Sequence, residues 1–183
     1  MKVAKIWKDF FLASRLGVCL AVVVTAGCPA CGYRLAPTPE SRSLPFRTVS
    51  VPLFRNDTQE PRIENELTAA FRSRLLEVPA VRLARAEEAD AVLRGRISAV
   101  QVTPVAVSEQ FFAMEYRIEV TLSLLLEQRE GGKILARLDS LREEARFYAS
   151  SDALLAQDNR SEAILRLSRS LAARAWDAIL LGF

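Results

Sequence analysis

The sequence contains no histidine, and its 183 residues include only three cysteines. The absence of histidine excludes Ser-His-Asp and Cys-His catalysis, and with them the common histidine metal sites. All three cysteines, Cys19, Cys28 and Cys31, precede residue 32. The rest of the chain therefore cannot form an internal disulfide. It also contains no Gly-x-Ser-x-Gly motif, P-loop or dinucleotide fingerprint.

Acidic residues give equally little support for catalysis. The only adjacent acidic pairs are Glu87-Glu88 and Glu143-Glu144. Neighbouring side chains on a strand point to opposite faces, and those on a helix also diverge, so neither pair is a ready acid/base dyad. We therefore expect no enzymatic activity, no cofactor and no bound metal.

The positive charge of the chain is concentrated at its start. The whole sequence has 25 Lys and Arg against 22 Asp and Glu. Residues 1–27 contain four of the basic residues and one acidic residue, so the remainder is neutral. A neutral body argues against nucleic-acid binding, which needs a concentrated basic surface.

Residues 1–27 are typical of a bacterial secretory signal peptide. A basic start is followed by an apolar stretch from Leu16 to Ala26 and then by small residues. The apolar stretch is about half of the roughly 20 residues that span a bilayer. We therefore expect a cleaved leader rather than a membrane-spanning helix.

Two cysteines follow the apolar stretch. The sequence TAGC at 25–28 resembles a bacterial lipobox, in which the cysteine is acylated and becomes the mature N-terminus. Cys28 is the first choice for lipid attachment and Cys31 is the alternative. A redox pair, half a zinc site and an uncleaved anchor are the other interpretations, but no further Cys or His completes a metal site.

An acylated cysteine would fix the location of the protein. Two or more acyl chains make a stable membrane anchor. Neither Pro29 nor Gly32, the residues after the two cysteines, is the Asp that retains many lipoproteins in the inner membrane. We therefore expect lipid anchoring in the periplasmic leaflet of the outer membrane. Residues 28–45 would form the lipidated N-terminus and a tether rich in Pro and Ser.

Residues 46–183 are expected to form a single domain, and its first half mixes strands with a helix. Residues 46–54 alternate as a strand, and Pro52 predicts that this strand lies at a sheet edge or ends in a bulge. The stripe Ile63, Leu67, Phe71 and Leu75 predicts an amphipathic helix over 61–77. A short strand at 80–85 and a longer strand at 91–102 follow, the latter pairing in parallel with the first strand.

The second half is expected to contain two long strands and a long helix. A loop at 103–111 would expose Val105, Val107 and Phe111. Seven alternating apolar residues from Met114 to Leu126 predict a strand over 112–128. Gly131 and Gly132 predict a hairpin turn at 129–133, before a strand at 134–148.

A helix starting near Ser151 or Asp158 ends the chain. The predicted fold is α+β, a two-layer sandwich in which two helices cover one face of a mixed four-stranded sheet, in the order β-α-β-β-β-α.

Several segments together resemble the LptE family of lipopolysaccharide-assembly lipoproteins. They are CGYRL, VSVPLFRNDTQEPRIENELTAAF, ADAVLRGRI, EYRIEVTLSLLLEQREGGKIL and DNRSEAILRLSRSLAARAWDAI. The resemblance implies a protein that plugs an outer-membrane β-barrel of the LptD type, helps to assemble it and takes part in lipopolysaccharide delivery. The family pattern places the lipid at Cys31, whereas the cleavage-site chemistry favours Cys28.

The resemblance also directs attention to charged residues of the sheet. Arginine forks suit phosphate groups, so Arg94, Arg96, Arg117, Arg129 and Lys133 are candidate lipopolysaccharide contacts. Cross-strand ion pairing or ordinary solvation is the alternative for all five. The polar face of the third strand is a candidate barrel-facing surface, with Glu115, Glu119, Thr121 and Ser123.

A second family also resembles part of the chain. Residues 49–97 resemble the strand–helix–strand start of TolB-like and CsgG-like periplasmic proteins. A periplasmic scaffold or secretion-channel lipoprotein is therefore the alternative function.

Overall fold

A computed structural model describes residues 44–107 and 113–182 of the chain. Within these residues the chain forms six strands and two helices. In chain order they are β1 (Thr48–Ser50), β2 (Arg55–Asn56), α1 (Ile63–Leu76), β3 (Arg82–Leu83), β4 (Ala91–Val107), β5 (Ala113–Gln128), β6 (Ile134–Tyr148) and α2 (Ala153–Leu181). The predicted α+β class is confirmed. The predicted leader, both candidate lipid sites and nearly all of the tether lie outside the described residues.

All the strands belong to one mixed sheet with the order β3-β1-β4-β5-β6, and β2 also pairs with β4. β1 is parallel to β3 and to β4, with Val49 opposite Ala91, which is the predicted crossover. β4, β5 and β6 form an antiparallel meander. The sheet has six strands rather than four because the first predicted strand is divided in two and residues 82–83 add a short one.

Pro52 explains the division of the first predicted strand. β1 ends at Ser50 and β2 begins at Arg55, so the proline lies between two strands. Proline has no backbone donor for a sheet ladder, and the chain avoids this cost by leaving the sheet before it. The predicted edge position is wrong, because β1 is flanked by β3 and β4.

β4 is longer than predicted. It continues to Val107, so the prediction of a loop from residue 103 is wrong for its first five residues. Pro104 pairs opposite Tyr116, and the register shifts immediately after it, which is how a strand accommodates a proline. Val105 is exposed as expected. The Val107 side chain and Phe111 lie outside the described residues.

β5 follows the predicted alternation closely. Its core-facing residues are fully buried over most of the strand: Ile118, Val120, Leu122, Leu124 and Leu126. Met114 lies in the strand as predicted, but it is 57% exposed. At about 3.3 Å per residue the 16-residue strand is roughly 50 Å long. It therefore extends beyond the part of the sheet that both helices cover.

The two helices pack side by side on one face of the sheet. The predicted stripe of α1 is buried, and so are Leu167, Leu171, Ala175 and Ile179 of α2. α2 begins at Ala153, because the Asp152 side chain accepts hydrogen bonds from the backbone N–H groups of residues 154 and 155. Of the two predicted starts, the one near Ser151 is therefore correct.

Asp90 fastens the start of β1 to the chain entering β4. One of its carboxylate oxygens accepts hydrogen bonds from the backbone N–H groups of Arg47 (2.8 Å) and Thr48 (2.9 Å). Its own N–H donates to the Thr48 hydroxyl. The Arg47 N–H, followed by the groups of Thr48, lowers the pKa of Asp90 below its ordinary value.

We expect Asp90→Asn to lower the free energy of unfolding at pH 7. A carboxylate whose pKa is lowered by folding stabilises the protein above its unfolded pKa, and this contribution is lost as the pH falls below about 3.8. Urea unfolding should therefore show that the free energy of unfolding of Asp90→Asn is below that of wild type at pH 7, and that this deficit is smaller at pH 3. Glu87→Gln is the control, because Glu87 is exposed and makes no hydrogen bond within the described residues. A difference that widens in acid would contradict this role.

Candidate functional site

The sheet has one face packed against the helices and one face directed away from them, which we call the open face. On β5 the open face contains Arg117, Glu119, Thr121 and Ser123, which alternate with the buried core residues. Arg94 and Arg96 lie on the same face of β4, since Arg96 is paired opposite Ser123. The alternation that predicted these positions thus places them on the surface, where they can meet a ligand or partner.

Four arginines surround a shallow depression of about 400 Å³ on the open face. We call them the arginine cluster: Arg55, Arg94, Arg96 and Arg137. Ser123, Leu53 and Leu125 line the same depression. Arg94 and Arg96 were predicted as phosphate contacts, whereas Arg55 and Arg137 were not. The structure therefore brings two predicted residues together and adds two more.

Each arginine of the cluster is already paired with a carboxylate. Arg94 donates from Nε to Glu127 (2.5 Å), and Arg137 donates from Nε to Asp139 (3.1 Å). The Nε atoms of Arg55 and Arg96 both donate to Asp57. Cross-strand or local pairing, the alternative considered from the sequence, is therefore present for these residues.

Pairing through Nε leaves the outer edge of each guanidinium available. Among the described residues, the terminal Nη atoms of the four arginines make no hydrogen bond. Four guanidinium groups share three carboxylates, which are Asp57, Glu127 and Asp139. The depression thus combines an excess of one positive charge with free donors that suit a phosphate oxygen.

Asp57 holds two members of the cluster in place. Hydrogen bonds from Arg55, and then from Arg96, lower the pKa of its carboxyl below the ordinary value. Its backbone N–H also donates to the carbonyl of Ile97 on β4 (3.0 Å). Asp57 therefore stays ionised through mildly acidic pH and keeps the two arginines oriented.

The remaining predicted phosphate contacts lie elsewhere. Arg117 forms an ion pair with Glu144 on β6 (3.6 Å), roughly 20 Å along β5 from Ser123. Arg129 donates to the carbonyl of Ala89 (2.9 Å) and pairs with Glu130. Lys133 is exposed at the β5–β6 turn, where Gly131 and Gly132 have positive φ as predicted. These three cations do not converge with the arginine cluster.

The predicted barrel-facing residues form a continuous polar row on β5. Glu115 pairs with Arg146 on β6 (3.9 Å). Glu119 lies opposite Gln101 of β4 in the ladder. The carbonyl of Thr121 accepts a hydrogen bond from the Ser98 hydroxyl (3.3 Å). The row is half-exposed along its length, and its two charged residues, Glu115 and Glu119, are both acidic.

The acidic pair Glu143-Glu144 is divided between the two faces of the sheet. Glu143 faces α2, where it accepts from the Ser170 hydroxyl (2.8 Å) and pairs with Arg174. Glu144 lies on the open face beside Arg117. The two carboxylates therefore do not form a dyad, as their adjacency on a strand predicts. Within residues 44–107 and 113–182, acidic and sulfur side chains form no group that could hold a metal ion.

The comparison with protein families identifies the chain. The model of the LptE family, described as lipopolysaccharide-assembly, matches residues 46–179. The match covers well over half of the sequence and nearly all of the described fold. The chain therefore belongs to the LptE family. No curated protein sequence shows significant similarity to it.

Solved structures share the fold at low sequence identity. Rare lipoprotein B from Shewanella oneidensis is 14% identical, with a TM-score of 0.51 over 73% of this chain and 93% of that chain. Protein XCC0632 from Xanthomonas campestris is 10% identical, with a TM-score of 0.51 over 74% and 85% of the two chains. A chain from Caulobacter crescentus CB15 is also 10% identical, with a TM-score of 0.52 over 70% and 88%. Similarity at this level supports the fold alone. Neither α1 nor α2 is both long enough and apolar enough to cross a membrane.

Proposed function

We propose that this chain is an outer-membrane lipoprotein that plugs and helps to assemble an LptD-type β-barrel and takes part in lipopolysaccharide delivery to the cell surface. The observation that carries the proposal is the LptE family match over residues 46–179. The role is non-catalytic: the protein binds and positions its partners. Its partners are the barrel, lipopolysaccharide and the membrane that receives its N-terminal lipid.

The open face is the surface that would contact the barrel. The interior of a large β-barrel is polar, and the row of Glu115, Glu119, Thr121 and Ser123 offers charges and hydroxyl groups rather than an apolar surface. Glu115 of this row and the neighbouring Arg117 are paired within the sheet, which lowers the cost of placing the face in a polar enclosure.

The lipid anchor is proposed on the N-terminal cysteines. Transfer of a diacylglyceryl group to the Cys28 thiol as a thioether, cleavage before Cys28 and acylation of the new α-amine would tether the body to the periplasmic leaflet of the outer membrane. We expect mass spectrometry of the mature protein to show an N-terminal acylated peptide that starts at Cys28. Cys28→Ser should abolish its lipid, whereas Cys31→Ser should not. An acylated peptide that starts at Cys31 would show that Cys31, and not Cys28, carries the lipid. An unacylated mature protein would contradict the proposed lipid anchor.

The arginine cluster is the proposed contact for lipopolysaccharide phosphates. Charge-assisted hydrogen bonds from Nη atoms to phosphate oxygens add to affinity without breaking the existing ion pairs. Arg117, Arg129 and Lys133 remain candidates for secondary contacts, because they are isolated from the cluster and from one another.

We expect the double variant Arg94→Gln/Arg96→Gln to weaken lipopolysaccharide binding by the full-length protein about tenfold. Asp57→Asn should strengthen binding, since it removes one of the three negative charges beside the four arginines. Binding can be measured by titrating labelled lipopolysaccharide. Arg85→Gln is the control, because Arg85 is exposed and does not line the depression. Equal affinities for wild type and the double variant would exclude this phosphate contact.

Affinity capture of the full-length protein from detergent-solubilised outer membranes tests the proposed function. We expect an outer-membrane barrel of the LptD type to be recovered in a stoichiometric complex. Capture of a homo-oligomeric ring without a barrel would instead support the alternative of a TolB-like or CsgG-like lipoprotein. Recovery of neither would also contradict the proposed plug.

A further inference from the structure

The depression that holds the arginine cluster also has an apolar floor. Between Glu115 and Glu127, Leu125 is the one apolar residue on the open face of β5. In the two ladders it lies directly between Arg94 of β4 and Arg137 of β6. Residues directly opposite each other in a sheet point to the same face. The floor is therefore a row in which one apolar side chain is flanked by two cations.

Leu53 adds an apolar rim to the same depression. Strand alternation from residue 46 predicts that Leu53 faces the core together with Val49 and Val51. The chain leaves the sheet before Pro52, however, and Leu53 instead turns outward and is 59% exposed. The proline that divides the first predicted strand thus places a leucine beside the arginine cluster.

The backbone around Leu53 is fixed on both sides. Val51 and Phe54 are both buried in the core. The Nε–H of Arg72 donates to the carbonyl of Val51 (2.9 Å), and the N–H of Phe54 donates to the Thr68 hydroxyl (3.0 Å). Arg72 and Thr68 both belong to α1, so the helix holds this loop in place. Leu53 is therefore presented outward by a preformed loop, and binding does not have to order it.

The charges around the depression favour an anionic occupant. Four arginines line it, and Asp139 is the one carboxylate in the lining. With Asp57 and Glu127, which pair with the arginines from outside, an excess of one positive charge remains. A single exposed leucine needs no explanation. A fixed leucine at the rim of a basic depression, with a second leucine in its floor, suits an amphiphile that carries a negative charge.

We infer that this depression binds lipopolysaccharide where its phosphorylated sugars meet its hydrocarbon, with an acyl chain lying across Leu125 and Leu53. The inference rests on the proposed function, which assigns the phosphates to the arginine cluster. It adds a hydrocarbon contact and makes Leu53 a residue that distinguishes an acylated ligand from other phosphorylated sugars. The volume of about 400 Å³ limits the contact to part of the lipid.

The two kinds of contact respond to different parts of the ligand. Charge-assisted hydrogen bonds from the arginines act on a phosphate whether or not the ligand carries hydrocarbon. Contact with Leu53 removes apolar surface from water only when the ligand supplies apolar surface of its own. A ligand that keeps its phosphates but lacks acyl chains therefore separates the two contributions.

Titration of the full-length protein with two labelled ligands tests the inference. One ligand is intact lipopolysaccharide, and the other is fully deacylated lipopolysaccharide that retains its phosphates. We expect Leu53→Ala to weaken binding of the intact form about fivefold and to leave binding of the deacylated form unchanged. Arg94→Gln/Arg96→Gln should weaken binding of both forms.

Matched variants separate the contact from a general effect of the substitution. Leu154→Ala should leave both affinities unchanged, because Leu154 is also exposed but does not line the depression. Leu53→Met should bind the intact form within about twofold of wild type, because it keeps a side chain of similar volume. Circular dichroism should show that all three variants fold as wild type does, since both leucines are exposed.

Photocrosslinking in cells locates the hydrocarbon on the protein. p-Benzoylphenylalanine is introduced at position 53 and, as the control, at position 154. We expect a lipopolysaccharide adduct at position 53 alone, and fragmentation in the mass spectrometer should place the new bond on a fatty acyl chain. An adduct bonded only to sugar, an adduct with phospholipid instead, or no adduct would each overturn the inference.

The titrations also show which proposal fails. If Leu53→Ala weakens neither ligand, or weakens both equally, the acyl contact is wrong. When the double arginine variant still weakens both ligands in that case, the proposed phosphate contact stands. If neither form of lipopolysaccharide binds wild type, the proposed role of the protein in lipopolysaccharide delivery loses its basis together with this inference.

Discussion

Trp176→Ala is expected to lower the free energy of unfolding by about 3–5 kcal/mol. Trp176 is fully buried in α2 and is among the largest side chains of the core. Its Nε1–H donates to the carbonyl of Phe71 in α1 (3.1 Å), so one residue both fills the space between the helices and links them. Truncation leaves a cavity that the surrounding sheet and helices can close only in part.

Urea unfolding of the full-length protein, followed by circular dichroism, measures this loss. Trp176→Phe should cost less, because most of the volume is kept while the hydrogen bond to Phe71 is lost. Leu76→Ala is the control, since Leu76 is 71% exposed and should change stability by no more than about 0.5 kcal/mol. A loss below 1 kcal/mol for Trp176→Ala would contradict the packing described for the two helices.

Gly95→Ala is expected to destabilise the protein by about 1–3 kcal/mol, although alanine usually suits a strand better than glycine. A Cβ atom at position 95 would lie 2.5 Å from the Phe54 ring, closer than real Cβ contacts come. Phe54 cannot easily move, because it packs edge-to-face against Phe71 with centroids 5.0 Å apart. Gly95 lies between Arg94 and Arg96 of the arginine cluster in β4.

A double-mutant cycle tests this cause directly. Phe54→Leu makes room at position 95, and we expect Gly95→Ala to cost at least about 1 kcal/mol less in that background than in wild type. Chemical denaturation of the four proteins provides the coupling free energy. Additive effects would show that the contact between Gly95 and Phe54 is not the reason for the glycine.

The long elements could be predicted because their periodicity is unbroken. The alternation in β5 and the i, i+4 stripe of α1 each place apolar residues on one face, and burial follows directly. Prediction failed where proline interrupts the pattern. Pro52 divides the first strand, whereas Pro104 lies inside β4 beside register shifts that sequence periodicity does not show. Met114 keeps the alternation but is exposed, because strand periodicity does not report where the core ends.

The arginine cluster was only partly visible in the sequence. Arg94 and Arg96 alternate with core residues of one strand and were found in that way. Arg137 comes from β6, and counting outward from the 129–133 turn would have placed it opposite Leu125. Arg55 follows the interruption of the first predicted strand at Pro52, and its position in the cluster depends on the parallel pairing of β2 with β4.

Depletion of the protein in its native cells tests the central claim most directly. The measured quantities are lipopolysaccharide at the cell surface and the folded state of the proposed barrel partner. If the chain is the plug that assembles this barrel, surface lipopolysaccharide should fall as the protein is depleted, lipopolysaccharide should accumulate within the envelope, and the barrel should remain unassembled. Normal surface lipopolysaccharide and a fully assembled barrel in cells without detectable protein would contradict the account.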